Sequence, residues 1–118
     1  MNNQFLIFVI SILLLTVGLS GCNQQKNAVD IRITNNITTD LVVTQIKLDG
    51  DKLDNFSVLP NSTYIITGLD PNRYSQGENH SLNFTYRVGG RSYISEPDSF
   101  KYFCYIQINE TGEWGRIN

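Results

Sequence analysis

Residues 82–88 read Leu-Asn-Phe-Thr-Tyr-Arg-Val, with Leu82, Phe84, Tyr86 and Val88 in one phase and Asn83, Thr85 and Arg87 in the other. Only an extended chain puts every second residue on one side; a helix would spread these apolar groups around its circumference. The same period of two begins at Val29, where Val29, Ile31 and Ile33 alternate with Asp30, Arg32 and Thr34. It returns over residues 100–108 as Phe100, Tyr102, Cys104, Ile106 and Ile108. These three runs predict half-buried strands, each with one face on a core.

Between them the chain is punctuated by turn residues. Asn35-Asn36 turns the first strand into residues 41–48 (LVVTQIKL), whose expected inner face is Val42, Thr44, Ile46 and Leu48. The turn Asp49-Gly50-Asp51-Lys52 follows, rich in residues that tolerate left-handed backbone. A short strand is expected over residues 55–59 with Phe56 and Val58 inward, ended by Pro60, which has no N–H to give a ladder. Residues 63–69 (TYIITGL) predict the next strand. Residues 70–79 (DPNRYSQGEN) form the longest connection, and by length the one freest to carry function. Gly89-Gly90 between two alternating runs is a strong hairpin signal and leads to a strand over residues 91–96. Pro97-Asp98 turns again. The turn 109–112 opens a last short strand carrying Trp114 and Ile117. The expectation is an all-β domain over residues 29–118: an antiparallel β-sandwich of immunoglobulin size with seven to eight strands, or else a small barrel.

The N-terminus obeys different rules. Phe5 to Leu19 is an uncharged apolar run of fifteen residues, the length of a secretory signal core and short of the roughly 20 residues a membrane-spanning helix needs. Small residues close it, in Leu19-Ser20-Gly21-Cys22. This tetrapeptide resembles the lipobox of prokaryotic lipoproteins. The resemblance implies that residues 1–21 are a signal peptide in helical form, that Cys22 carries the lipid, and that Leu19, Ser20 and Gly21 are read during processing. Two or more acyl chains make a stable anchor, because each buried methylene contributes about 0.8 kcal/mol. Residues 22–28 then form the lipidated cysteine and a polar tether reaching under roughly 20 Å. No Lys or Arg precedes Lys26, so the basic start common to such signals is missing.

A second resemblance is local. Asp98-Ser99-Phe100-Lys101-Tyr102-Phe103-Cys104 resembles the D-x-A-x-Y-x-C run that opens strand F of immunoglobulin domains, with Phe100 where a small residue usually stands. It implies that Tyr102 is the tyrosine of a corner whose hydroxyl bonds back to the backbone. No earlier cysteine pairs with Cys104 and Trp114 follows the motif, so the resemblance bears on architecture and not on membership of the antibody family.

Charge and chemistry narrow the function classes. Nine basic residues against eleven acidic ones, scattered along the chain, offer no basic face for phosphate, so nucleic acid is not an expected partner. A single histidine and two cysteines leave no conventional zinc site, and no cofactor is expected. If Cys22 is lipidated, Cys104 has no disulfide partner; its alternation phase makes it a buried small hydrophobe. The acidic turn from Asp49 to Asn55 misses the EF-hand spacing at Leu53 and at the glycine, and is expected to be a solvated turn. His80, the only imidazole, is expected as an exposed loop residue, and every histidine-dependent mechanism rests on it. Tyr74, Tyr93 and Tyr105 are expected to be exposed, as a partner face or as cross-strand packing. Six N-x-S/T triplets place possible glycan acceptors at Asn36, Asn55, Asn61, Asn79, Asn83 and Asn109, a pattern that an Asn- and Thr-rich chain also produces by composition.

The function expected is a lipid-anchored, extracytoplasmic binding or structural module, at an outer membrane or cell surface, held to the membrane through Cys22, with an envelope protein as a candidate partner. An accessory subunit of a larger envelope or secretion assembly is the alternative. A small hydrolase is a distant third, and the chain is not expected to be an enzyme.

Overall fold

The computed structural model describes residues 26–117; the expected signal peptide, the Leu19 to Cys22 motif and the first part of the tether lie outside the described residues. Nine strands form among the described residues, in chain order: β1 (Asp30–Asn35), β2 (Leu41–Leu48), β3 (Asp51–Leu53), β4 (Phe56–Val58), β5 (Ser62–Ile65), β6 (Leu82–Val88), β7 (Arg91–Ser95), β8 (Phe103–Ile108) and β9 (Trp114–Ile117). No helix occurs among the described residues.

The strands make two sheets. One has the order β5-β1-β8-β9, and the other runs β3-β2-β6-β7, with β4 beside β2 on the same edge as β3. Ile31 and Ile33 of β1 and Cys104, Ile106 and Ile108 of β8 meet Leu41, Val43, Ile46 and Leu48 of β2 and Leu82, Phe84 and Tyr86 of β6 in a single core. The all-β class expected from the alternation is therefore the class found, as two sheets sharing one interior.

Several details differ. β1 and β8 pair in parallel, so the four-stranded sheet is mixed rather than antiparallel. An immunoglobulin strand F lies in an antiparallel sheet between C and G. β8 instead lies between β1 and β9, and Tyr102 precedes it at 57 % exposure. Tyr102 is consequently not a buried corner tyrosine.

The inner face of β2 is also not a simple alternation. The register with β6 slips between Val43 and Gln45, so Thr44 is the extra residue of a bulge and its hydroxyl reaches the Thr85 carbonyl at 3.3 Å. Leu41 and Val43 face inward before the bulge, Ile46 and Leu48 after it, and Val42 turns out to solvent. One inserted residue reverses the phase, which a period of two cannot anticipate.

The added ninth strand has a local cause. Asp49 and Gly50 both take positive φ, 52° and 83°, the requirement of a two-residue type I′ turn. The hairpin therefore closes on Asp49-Gly50 alone, and Asp51, Lys52 and Leu53 pair back onto β2. Gly89-Gly90 makes the same turn between β6 and β7, as the sequence predicts. β5 is shorter than expected, because beyond Ile65 the chain leaves the sheet, and Gly68 with φ 77° interrupts any extended run.

Candidate functional site

The outer face of the four-stranded sheet gathers side chains distant in sequence. Alternation sends Ile31 and Ile33 inward, which turns Asp30, Arg32 and Thr34 outward; the same rule turns out Phe103, Tyr105 and Gln107 of β8. The registers Arg32↔Ile65, Arg32↔Tyr105 and Tyr105↔Ile117 then align Ile65, Arg32, Tyr105 and Ile117 in one row across all four strands. Ile65, Phe103 and Ile117 are exposed.

This row is held in place. The Arg32 guanidinium lies 5.1 Å from the centre of the Tyr105 ring and 3.0 Å from Asp30 Oδ2. The Tyr105 hydroxyl donates to Asp30 Oδ2 at 2.6 Å, and the Phe103 and Tyr105 rings sit 4.8 Å apart. The hydrogen bond from Arg32 holds the Asp30 carboxyl below its ordinary range, against the pull of partial burial, and the same Asp30 contact pushes the Tyr105 phenol up. At neutral pH the cluster is one anion, one cation and a neutral phenol, with no net charge. Beside it, the Thr34 and Thr63 hydroxyls share a 2.8 Å hydrogen bond. Aromatic side chains and arginine are among the residue types enriched where proteins meet partners.

A second feature is a cleft of about 370 Å³ at the open seam between the sheets, bounded by Lys52 and Asp54 on one side and by Ile66 to Leu69 on the other. Phe56 and Tyr64 stack across it with ring centres 3.9 Å apart and planes 6° from parallel, which joins the edges of the two sheets.

The third is the centre around His80. The ring, only 4 % exposed, is not the loop-surface histidine expected. Its Nδ1 lies 2.6 Å from Asp49 Oδ2 and its Nε2 lies 2.6 Å from the Ser75 carbonyl oxygen. Backbone bonds with Phe100 in both directions fix its main chain. Asp49 Oδ1 accepts from the Ser81 N–H at 2.8 Å, and Asp51 takes Arg73 Nη2 at 2.7 Å and the Tyr74 hydroxyl at 2.8 Å. The acidic turn is thus not merely solvated: the carboxylates of Asp49 and Asp51 are engaged by protein donors. Although Asp49, His80 and Ser75 are a carboxylate, an imidazole and a hydroxyl in proximity, Nε2 meets the serine carbonyl, and the buried Ser75 Oγ has no partner among the described residues. A nucleophile's hydroxyl would have to stand where that carbonyl stands.

These bonds also revise the reading of residues 70–79 as the freest loop. Tyr74, expected on the surface, is buried, and its backbone oxygen accepts from Val29 N–H. Gln76 N–H donates to the Asn27 carbonyl, Gly77 N–H to the Lys101 carbonyl, and Ala28 bridges to Ser75. A segment that covers the core must satisfy its backbone polar groups, and this one does so by pairing. It also pairs with Asn27 and Ala28, which the sequence places in the tether.

The remaining sites fall as follows. Tyr93 stacks on Tyr86 at 5.4 Å, on the other sheet, so of the three tyrosines only Tyr105 belongs to the outer face described above. Cys104 is fully buried, and burial pushes its thiol up to about 11, which suits a packed hydrophobe. The six acceptor asparagines, Asn36, Asn55, Asn61, Asn79, Asn83 and Asn109, are all exposed. The Arg32 row was not anticipated; its signal was the polar phase of β1 and β8, and its assembly depends on a pairing between distant segments. Comparison with protein-family models, curated proteins and solved structures finds no match to this chain.

Proposed function

We propose that this chain is a lipid-anchored, extracytoplasmic β module that recruits a protein partner of the cell envelope through the outer face of its four-stranded sheet. The anchor rests on the resemblance of Leu19 to Cys22 to a lipobox, with Cys22 as the acylated residue. The binding role is carried by one observation: the aligned row of Ile65, Arg32, Tyr105 and Ile117, pre-ordered by Asp30, with Ile65 and Ile117 exposed and Arg32 and Tyr105 half-buried. A face already ordered in the free protein loses little entropy when a partner arrives. A two-sheet domain of immunoglobulin-like size on a short tether would present that face close to the membrane. Catalysis has no support in this reading, since both nitrogens of the only imidazole are committed to oxygens of the chain itself.

Two measurements test it. Intact mass and membrane partition of the expressed protein, beside Cys22→Ala, should give an acylated, membrane-bound chain lacking residues 1–21 and a variant without acyl mass. A wild type that retains Met1 and carries no acyl group refutes the anchor. A photo-crosslinking residue at Thr34, on the proposed face, should capture a discrete partner in the native envelope, while the same residue at Val42, on the opposite face, should not. Equal capture from both positions, or none from Thr34, refutes the face.

A further inference from the structure

We propose that His80 is a protonated latch: as an imidazolium it fastens residues 70–81 to the β2–β3 hairpin, and it releases that segment when it loses its proton. The reason lies in the two oxygens it touches. Ser75 offers a backbone carbonyl, which can only accept, and Asp49 an ionised carboxylate, which can only accept. Each stands 2.6 Å from a different ring nitrogen. A neutral imidazole has a single N–H, so one of these contacts would set a nitrogen lone pair against an oxygen lone pair. Only the doubly protonated ring satisfies both.

The groups around the ring agree. Asp49 faces it from the β2–β3 turn, and Glu78 acts on it from its own segment, both anions. Tyr74 meets it edge-on at 6.4 Å, and the chain before β8 contributes the uncharged Phe100 at 6.0 Å. Burial disfavours the charged ring, but the Asp49 carboxylate, the Ser75 carbonyl and Glu78 outweigh it and raise the pKa above the ordinary imidazole value. A raised folded pKa means that the latch stabilises fully below about pH 6.5 and is lost as pH rises through the folded value.

What the latch holds gives it a consequence. The fastened segment pairs with the chain's point of entry into the domain, through Tyr74 to Val29, Gln76 to Asn27 and Ser75 to Ala28. Deprotonation therefore loosens residues 27–29 together with the loop, so that ambient pH governs how firmly the N-terminal segment is seated. This holds whether or not Cys22 carries lipid.

The test exploits the fact that the protein has one histidine. The full chain in detergent micelles, labelled with ¹⁵N-histidine, reports a single ring by NMR. The expected result is a ring with both nitrogens protonated at pH 6.5 and a titration midpoint above that value. Asp49→Asn, which keeps an oxygen for Ser81 N–H but removes the charge, should move the midpoint down. Amide exchange at Val29, Gln76 and Gly77 in the wild type should accelerate through the midpoint beyond the intrinsic rise with pH. A neutral ring at pH 6.5, a midpoint unmoved in Asp49→Asn, or exchange at those amides that ignores the midpoint would each overturn the latch.

Discussion

Asn35 ends β1 as a fully buried polar side chain, and replacing it should be among the costliest single changes in this domain. Its amide nitrogen donates to the Thr39 and Val58 carbonyls, each at 2.9 Å, and its Oδ1 accepts from the Ile37 N–H at 2.9 Å. The assignment is unambiguous, because carbonyls accept and N–H groups donate. One side chain thereby closes the β1–β2 turn and ties it to β4. In Asn35→Ala the three bonds, at about 1 kcal/mol each, are lost, and the buried groups left unpaired add roughly 1–2 kcal/mol, for a total of about 4–5 kcal/mol. Against a total stability of about 5–15 kcal/mol for a small domain, that is a large share. Urea unfolding followed by fluorescence of the sole tryptophan, Trp114, which packs against the core, measures it. The midpoint should fall with an unchanged slope. Asn35→Asp sharpens the case: an ionised carboxylate would aim oxygen at two carbonyls, so at pH 7 it should be at least as unstable as Asn35→Ala. Its carboxyl pKa would be raised in the folded state, so stability should recover as pH falls and protonation returns one donor. A loss below about 1 kcal/mol in Asn35→Ala, or wild-type stability of Asn35→Asp at pH 7, would refute the reasoning.

Three further expectations concern the core and its rim. Tyr86 donates its hydroxyl to the Gly112 carbonyl at 2.5 Å in the interior, so Tyr86→Phe should lose about 1–3 kcal/mol in the same urea assay; no loss would mean the carbonyl finds another donor. Gly112 has φ 84°, and a Cβ there would stand 2.5 Å from the Tyr93 ring, whereas Gly50, at a similar φ, has open space around it. Gly50→Ala should thus show only the left-handed strain of about 1–2 kcal/mol and Gly112→Ala distinctly more; equal melting temperatures would argue against that contact. Cys104, in a Cys22→Ala background, should resist a thiol reagent at pH 8 until denaturant is added, since burial both hides the thiol and pushes its pKa up to about 11; rapid labelling of the folded protein would contradict its place in the core.

How far these features could be read in the sequence depended on whether their cause was local. Leu82, Phe84 and Tyr86 face inward as their alternation predicts, and Gly89-Gly90 turns the chain where the turn chemistry demands. The Asp49-Gly50 hairpin was equally legible, as two residues suited to positive φ, but the acidic stretch around it drew the turn out to four residues and hid β3. Val42 was misplaced because a bulge is a defect in the very period used to read the strand. Asn35 looked like a turn residue and is one, through its bond to Ile37, yet nothing nearby announced that Val58 would bury it.

By itself the sequence determined that the chain is extended, which residues alternate toward a core, where most turns fall, and that an apolar segment ending in Cys22 precedes a polar one. These follow from covalent spacing and short-range sterics. Only the tertiary structure decided that β1 lies parallel to β8, that Arg32 meets Tyr105, and that His80 is buried between Asp49 and Ser75. Such pairings join segments whose separation along the chain carries no signal; they are selected by how two sheets close over one interior and by the need of each buried polar group to find a partner there.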